Sequence, residues 1–211
     1  MEKAYKYLGY FLLLMIPLIF IAFQPNYISK FPNFDANYDV FIHIHAFLAS
    51  LWVVTLIVQP FFIVNKKMHW HRVVGKLSYL IFPLFILSFV PGIIKLFRSG
   101  EYKYIFFPAG DCVVLIMLYT LAVYYKKKSA KHMRFMIASS LTLLGPTLGR
   151  IGPMRFGWSE VEAQTFQYAI TFGILLSLIL YDRKNKRNFS PYLVAVYAFV
   201  IHAAVFYVLF L

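Results

Sequence analysis

Two H-x-H pairs, His43/His45 and His69/His71, bracket about two dozen mostly apolar residues, and that run constrains the fold most. An α-helix rises about 1.5 Å per residue, so the run is long enough to cross a bilayer core of about 30 Å. One pair then sits near one membrane face and the other near the opposite face. Six more apolar blocks follow the same pattern, giving seven at roughly 7–23, 40–64, 73–97, 106–125, 134–153, 163–181 and 191–211. The expected fold is therefore an all-α bundle of seven transmembrane helices in one domain spanning 1–211. The first block lacks a small-residue cleavage motif and reads as a retained helix.

Charge supports this placement. Only 14% of residues are charged, against about a quarter in a soluble domain. The net charge of +13 would otherwise suggest nucleic acid, but the basic residues sit in short connectors between apolar blocks. Placing the N-terminus in the cytoplasm puts 15 of the 21 Lys and Arg residues in segments 1–6, 65–76, 126–134 and 182–187. The outer segments then hold six of the eight acidic residues. This is the positive-inside pattern of a multi-pass plasma-membrane protein, with the lipid bilayer as its partner and the C-terminus outside. Cys112 is the only cysteine, so no internal disulfide forms. Pro17, Pro60, Pro83, Pro91 and Pro146 are expected to break helices. Gly145, Gly149 and Gly152 suggest close helix packing, or room for a ligand beside Arg150.

Ionisable groups inside a membrane are costly and ask for a partner or a task. By helical rise, His45 and Asp111 lie about 7 Å below the outer face, Arg150 about 5–7 Å, and His202 about 12 Å. Gln164, Gln167 and Thr171 approach from the same side and share one helical face. His45, Trp52 and Gln59 are seven apart and stay on one face, so His45 is expected to point inward over Trp52. His43 points about 200° away, towards the loop edge or headgroups. These residues are expected to line one polar cavity. One reading is an Asp111–Arg150 ion pair among hydrogen-bonded histidines. Another is a single transition metal on His45, Asp111 and His202, with a bound water as nucleophile. At the inner side, His69, Trp70, His71, Arg72, Lys76, His132 and Arg134 form either a solvated basic loop or a heme site. In the second case the imidazoles of His71 and His132 ligate one iron. Ser139, Thr142, Pro146 and Arg150 form a polar stripe between the two layers.

Two segments resemble known proteins. The HRVVGK of residues 71–76 is similar to the HRxxG helix start of ferric-reductase-like and cytochrome b-561-like membrane proteins. The segment HMRFMIASSLTLLGPTLGRI, 132–151, resembles the H-x-R-x-M helix of an uncharacterised bacterial membrane family that shares HRxxG. The resemblance covers about half of the chain. It implies heme b on His71 and His132, with Arg150 ending the fifth helix. A two-heme core would also want an outer histidine pair on the second and fourth helices, where His45 stands on one but the other offers Asp111. The implied function is electron transfer through b-type heme or linked to a quinone, with a quinone or redox protein as partner. The alternatives are a single-metal membrane enzyme acting on an anionic substrate, and a noncatalytic ligand-binding subunit. The last helix has no Lys, which excludes a retinal Schiff base there.

Overall fold

The computed structural model describes residues 5–34 and 39–211. Most of the basic segment 1–6, and residues 35–38 of the long outer connector, lie outside the described residues. Helix dominates and no strand occurs among the described residues. The α-helices are α1 (Leu8–Leu13), α2 (Met15–Phe23), α3 (Val40–Val64), α4 (Met68–Leu87), α5 (Val90–Arg98), α6 (Phe106–Tyr124), α7 (Ser129–Ser140), α8 (Leu144–Phe156), α9 (Glu160–Lys184) and α10 (Ser190–Phe210). A 3-10 turn, Leu141–Leu143, joins α7 to α8, and another, Tyr102–Ile105, leads into α6. Among the described residues, five helical stretches are long and apolar enough to cross a membrane: Val40–Val64, Met68–Arg98, Tyr102–Tyr124, Glu160–Lys184 and Ser190–Phe210. Leu8–Phe23 is apolar but shorter.

The prolines need a correction. At Pro60 and Pro83 the helix runs on unbroken. Breaks do occur near Pro17, Pro91 and Pro146, but each lies upstream of the proline. Those three sit within the first three residues of α2, α5 and α8. The N–H groups of a first helical turn have no intrahelical acceptor, so a proline there sacrifices no bond. The helices also begin before their apolar runs. His69 and His71 are already in α4, and His132 and Arg134 are in α7, so the inner connectors are shorter than the basic segments. α3 and α9 end in turns with Lys66 and Lys186 at positive φ, where Lys67 and Arg187 donate back to the Phe62 and Asp182 carbonyls at 2.8 Å.

The chain divides into two compact units, Met1–Glu101 and Tyr102–Leu211. In the first, α3 packs on α4 and α1. Gly9 admits the Phe61 ring, whose Cε2 would lie 2.9 Å from any added Cβ. Trp52 is fully buried, with its ring 5.0 Å from that of Phe82 and stacked on Phe85. In the second, α6 packs on α7, α8 on α9, and α10 on α6, α7 and α9. Lipid tails are as apolar as leucine, so close packing and polar contacts must hold such helices together. Gly152 serves this directly, because an added Cβ would come 3.0 Å from the Ala163 Cβ of α9. A capping box starts α9: Ser159 Oγ accepts from Glu162 N, and the Glu162 carboxylate accepts from Ser159 N at 2.7 Å.

Candidate functional site

The second unit holds part of the polar set expected at one level; His45, Trp52 and Gln59 belong to the first unit. Asp111 comes from α6, Arg150 from α8, Gln164, Gln167 and Thr171 from α9, and His202 from α10. The His202 Nε2 lies 3.6 Å from Asp111 Oδ1. That is ion-pair distance but longer than a hydrogen bond, and Nε2 is buried with no hydrogen-bond partner among the described residues. On the other side of the ring, His202 Nδ1 meets the Tyr168 hydroxyl at 2.8 Å. Along α9, Gln164 Nε2 donates to Gln167 Oε1 at 2.9 Å, and Gln167 Nε2 donates to Thr171 Oγ1 at 2.8 Å. All three side chains are buried.

Two glycines shape this array. An added Cβ at Gly110 would lie 2.8 Å from His202 Nε2, and one at Gly145 would lie 2.9 Å from Asp111 Oδ2. The imidazole therefore rests on the bare backbone of α6 and the carboxylate on that of α8. Gly145 thus makes room for a side chain of this chain.

Exposure falls inward across the site. Arg150 keeps an exposed surface and donates from Nη1 to the Pro146 carbonyl at 2.9 Å. Its charge attracts that of Asp111. The Asp111 side chain is 22% exposed and that of His202 only 4%. Tyr168 is buried behind them. The arrangement has an accessible cation and carboxylate in front and an imidazole and phenol behind.

A second charged pair was not foreseen. Arg134 and Asp182 are both completely buried. Arg134 Nε donates to Asp182 Oδ2 at 2.6 Å and Nη2 to Oδ1 at 3.0 Å, while Nη1 donates to the Ala130 carbonyl at 2.9 Å. Arg134 therefore does not belong to a solvated basic loop. The sequence signal was Asp182 itself: apart from Glu2, it is the one acidic residue in the basic inner segments. Tyr168 also escaped the sequence reading, though it stands between Gln167 and Thr171.

The stripe of Ser139, Thr142, Pro146 and Arg150 does not form a continuous polar path. Ser139 and Thr142 donate to the Met136 and Ser139 carbonyls, each at 2.8 Å, so these hydroxyls are spent on their own helix.

The first unit treats its histidines differently. His45 Nδ1 lies 2.9 Å from Ser88 Oγ, which itself donates to the Phe85 carbonyl at 2.6 Å. The serine proton is thereby used, so His45 is the donor and its lone pair is at Nε2. The ring also makes edge contact with Phe89 at 4.5 Å. His43 takes a different environment, 2.8 Å from the Tyr27 hydroxyl and edge-on to Phe34. Gln59 Nε2 donates to the His71 carbonyl at 3.2 Å, and Gln59 Oε1 is buried with no hydrogen-bond partner among the described residues.

His71 and His132 belong to different units. His132 Nδ1 donates to the Ala122 carbonyl at 2.8 Å, which leaves the lone pair on Nε2. That is the usual second contact of a ligating histidine. His202 does not fit a heme, because its Nε2 is packed against Gly110 where a porphyrin would need space. Among the described residues, no group of three or more His, Cys, Asp or Glu is placed to hold a metal ion. The three-ligand set of His45, Asp111 and His202 gains no support there. No family model, curated protein or solved structure matches the chain.

Proposed function

We propose that this chain is a seven-span protein of the bacterial plasma membrane, N-terminus inside and C-terminus outside, serving quinone-linked electron transfer. The observation that carries the reading is the buried His202 Nε2, unbonded and 3.6 Å from Asp111, behind an accessible Arg150. Quinone chemistry couples electrons to protons. It needs a hydrogen-bonding group for the headgroup oxygens and a protonatable group close behind, inside an apolar span. The basic asymmetry of the connectors supports the orientation. The similarity of HRVVGK to b-561-like helix starts supports the redox class. His132 fits as an axial ligand for heme b through Nε2. A heme bound there would supply one-electron transfer.

The test is purification from membranes in mild detergent, then solvent extraction of bound quinone and a reduced-minus-oxidised optical spectrum. We expect copurifying quinone that falls at least severalfold in Arg150→Gln. Heme on His132 would give a Soret band that His132→Ala abolishes. Absence of both quinone and a reducible chromophore overturns the reading. In a Cys112→Ser background, labelling of Asn185→Cys from outside intact cells overturns the orientation.

A further inference from the structure

We infer that Asp111 and His202, with Tyr168 positioning the imidazole, form a proton relay, Asp111 at its mouth and His202 as the acceptor, that takes the hydroxyl proton of a hydroquinone-type headgroup. The identity of the headgroup rests on the function proposed above; the relay itself does not.

The order follows from exposure. A ligand reaching this site meets Arg150 and Asp111 first, because both keep accessible surface. It does not reach His202, whose Nε2 is buried against Gly110. A proton from such a ligand therefore reaches the imidazole through the carboxylate.

Hydrogen-bond capacity permits the transfer. Tyr168 is a hydroxyl and accepts from Nδ1–H as readily as it donates to a bare Nδ1. When it accepts, the neutral ring presents its Nε2 lone pair to Asp111 Oδ1 at 3.6 Å. Two acceptors then face each other across a gap that one proton fills. Filling it creates a charge-assisted bond of about 2.7–2.9 Å, so the groups need to close by less than about 1 Å. The bare backbone at Gly110 and Gly145 is what admits both groups to this approach, since an added Cβ would meet His202 Nε2 at 2.8 Å and Asp111 Oδ2 at 2.9 Å.

In the step, the ligand O–H bond breaks and its proton goes to an Asp111 oxygen. Asp111 passes a proton to Nε2, forming the second N–H of an imidazolium. The ligand is left as a phenolate, its new charge facing the Arg150 guanidinium. No electron moves in this step. The titratable or charged groups facing the pair are Arg150 from α8, Tyr168 from α9, Cys112 on α6 and, beside Tyr168, Tyr207 on α10. Tyr168 is a positioning residue here.

The experiment is infrared difference spectroscopy over a pH series on the ligand-free protein in detergent. The Asp111 carboxyl and His202 imidazolium signals should titrate in one common step. His202→Phe should move the Asp111 midpoint by about one pH unit or more. Tyr168→Phe should move it less and change the nitrogen-15 tautomer signature of His202. Gly145→Ala removes no titratable group but displaces the carboxylate, and it should also uncouple the two signals. An Asp111 midpoint unmoved in both His202→Phe and Gly145→Ala overturns the relay.

A second arm uses a short-chain alkyl benzoquinol as probe. Coupled titration without benzoquinol binding keeps the relay and sinks the quinone assignment. Benzoquinol binding of unchanged pH dependence in Asp111→Asn sinks the relay and keeps the assignment.

Discussion

The two units solve the problem of polar groups in apolar helices in opposite ways. In the first, histidines are held by neutral hydroxyls: His45 by Ser88 and His43 by Tyr27. In the second, the polar groups include charged side chains: Arg134 with Asp182, and Asp111 between Arg150 and the His202 imidazole. The difference teaches where to look for chemistry. The H-x-H pairs dominate the sequence, yet in the first of them each histidine spends a ring nitrogen on a local bond. The unit with scattered single charges is the one that sets a buried imidazole nitrogen, His202 Nε2, 3.6 Å from a carboxylate.

The largest expected effect breaks the charged side of this contrast. Arg134→Leu strands Asp182 in a fully buried position and should cost about 3–5 kcal/mol. Arg134→Leu combined with Asp182→Leu should recover most of that loss, since two apolar groups need no partner. Chemical denaturation in detergent, followed by intrinsic tryptophan fluorescence, measures both. Equal stability of the single and double variants would show that the pair does not bear on folding.

Next comes Gly145→Ala. Its Cβ would lie 2.9 Å from Asp111 Oδ2, so the carboxylate must move. Overpacking of this kind typically costs about 1–3 kcal/mol. The group met is a side-chain end and not backbone, so the low end of that range is expected. Gly173→Ala is the control, with nothing within 4 Å of its added Cβ. Indistinguishable denaturation midpoints for the two variants would refute the cradle.

How much of this was legible beforehand depends on the range of the interaction. The apolar blocks are local, and they located the helical stretches to within a few residues. Helix starts at Met68 and Ser129 were missed, because α4 and α7 begin in polar residues that hydropathy assigns to connectors. The approach of His202 to Asp111 agrees with an expectation drawn from counting residues along each helix. Arg134 was misread because the positive-inside rule already explained it. Its partner is 48 residues away, and no local pattern encodes that distance. Tyr168 was missed for a similar reason, since tyrosine is common in membrane helices and only its contact with His202 singles it out. The roles of Gly110 and Gly145 needed coordinates, because a glycine in sequence does not say what fills the space beside it.

A smaller effect tests the neutral side. Ser88→Ala removes the acceptor for His45 and should cost about 1 kcal/mol. The loss is modest because no charge is stranded. A cost near that of Arg134→Leu would mean the first unit also depends on a buried charge, and the contrast would collapse. Denaturation midpoints of the two variants, measured side by side, decide this.

The smallest effect is at the rim of the first unit and depends on pH. Tyr27 lies in the connector after α2, and burial raises its phenol above the ordinary value of 10.0. A raised folded value means that the native state holds this proton more tightly than the unfolded chain does. The stability linked to it is therefore complete below pH 10.0 and is lost as the pH rises through the folded value. The same deprotonation removes the hydroxyl proton from the Tyr27–His43 contact. Tyr27→Phe should show a shallower alkaline loss of stability than the parent above pH 10, with little difference at neutral pH. Superimposable alkaline curves for parent and variant would mean that the Tyr27–His43 contact contributes nothing measurable at this end of α3.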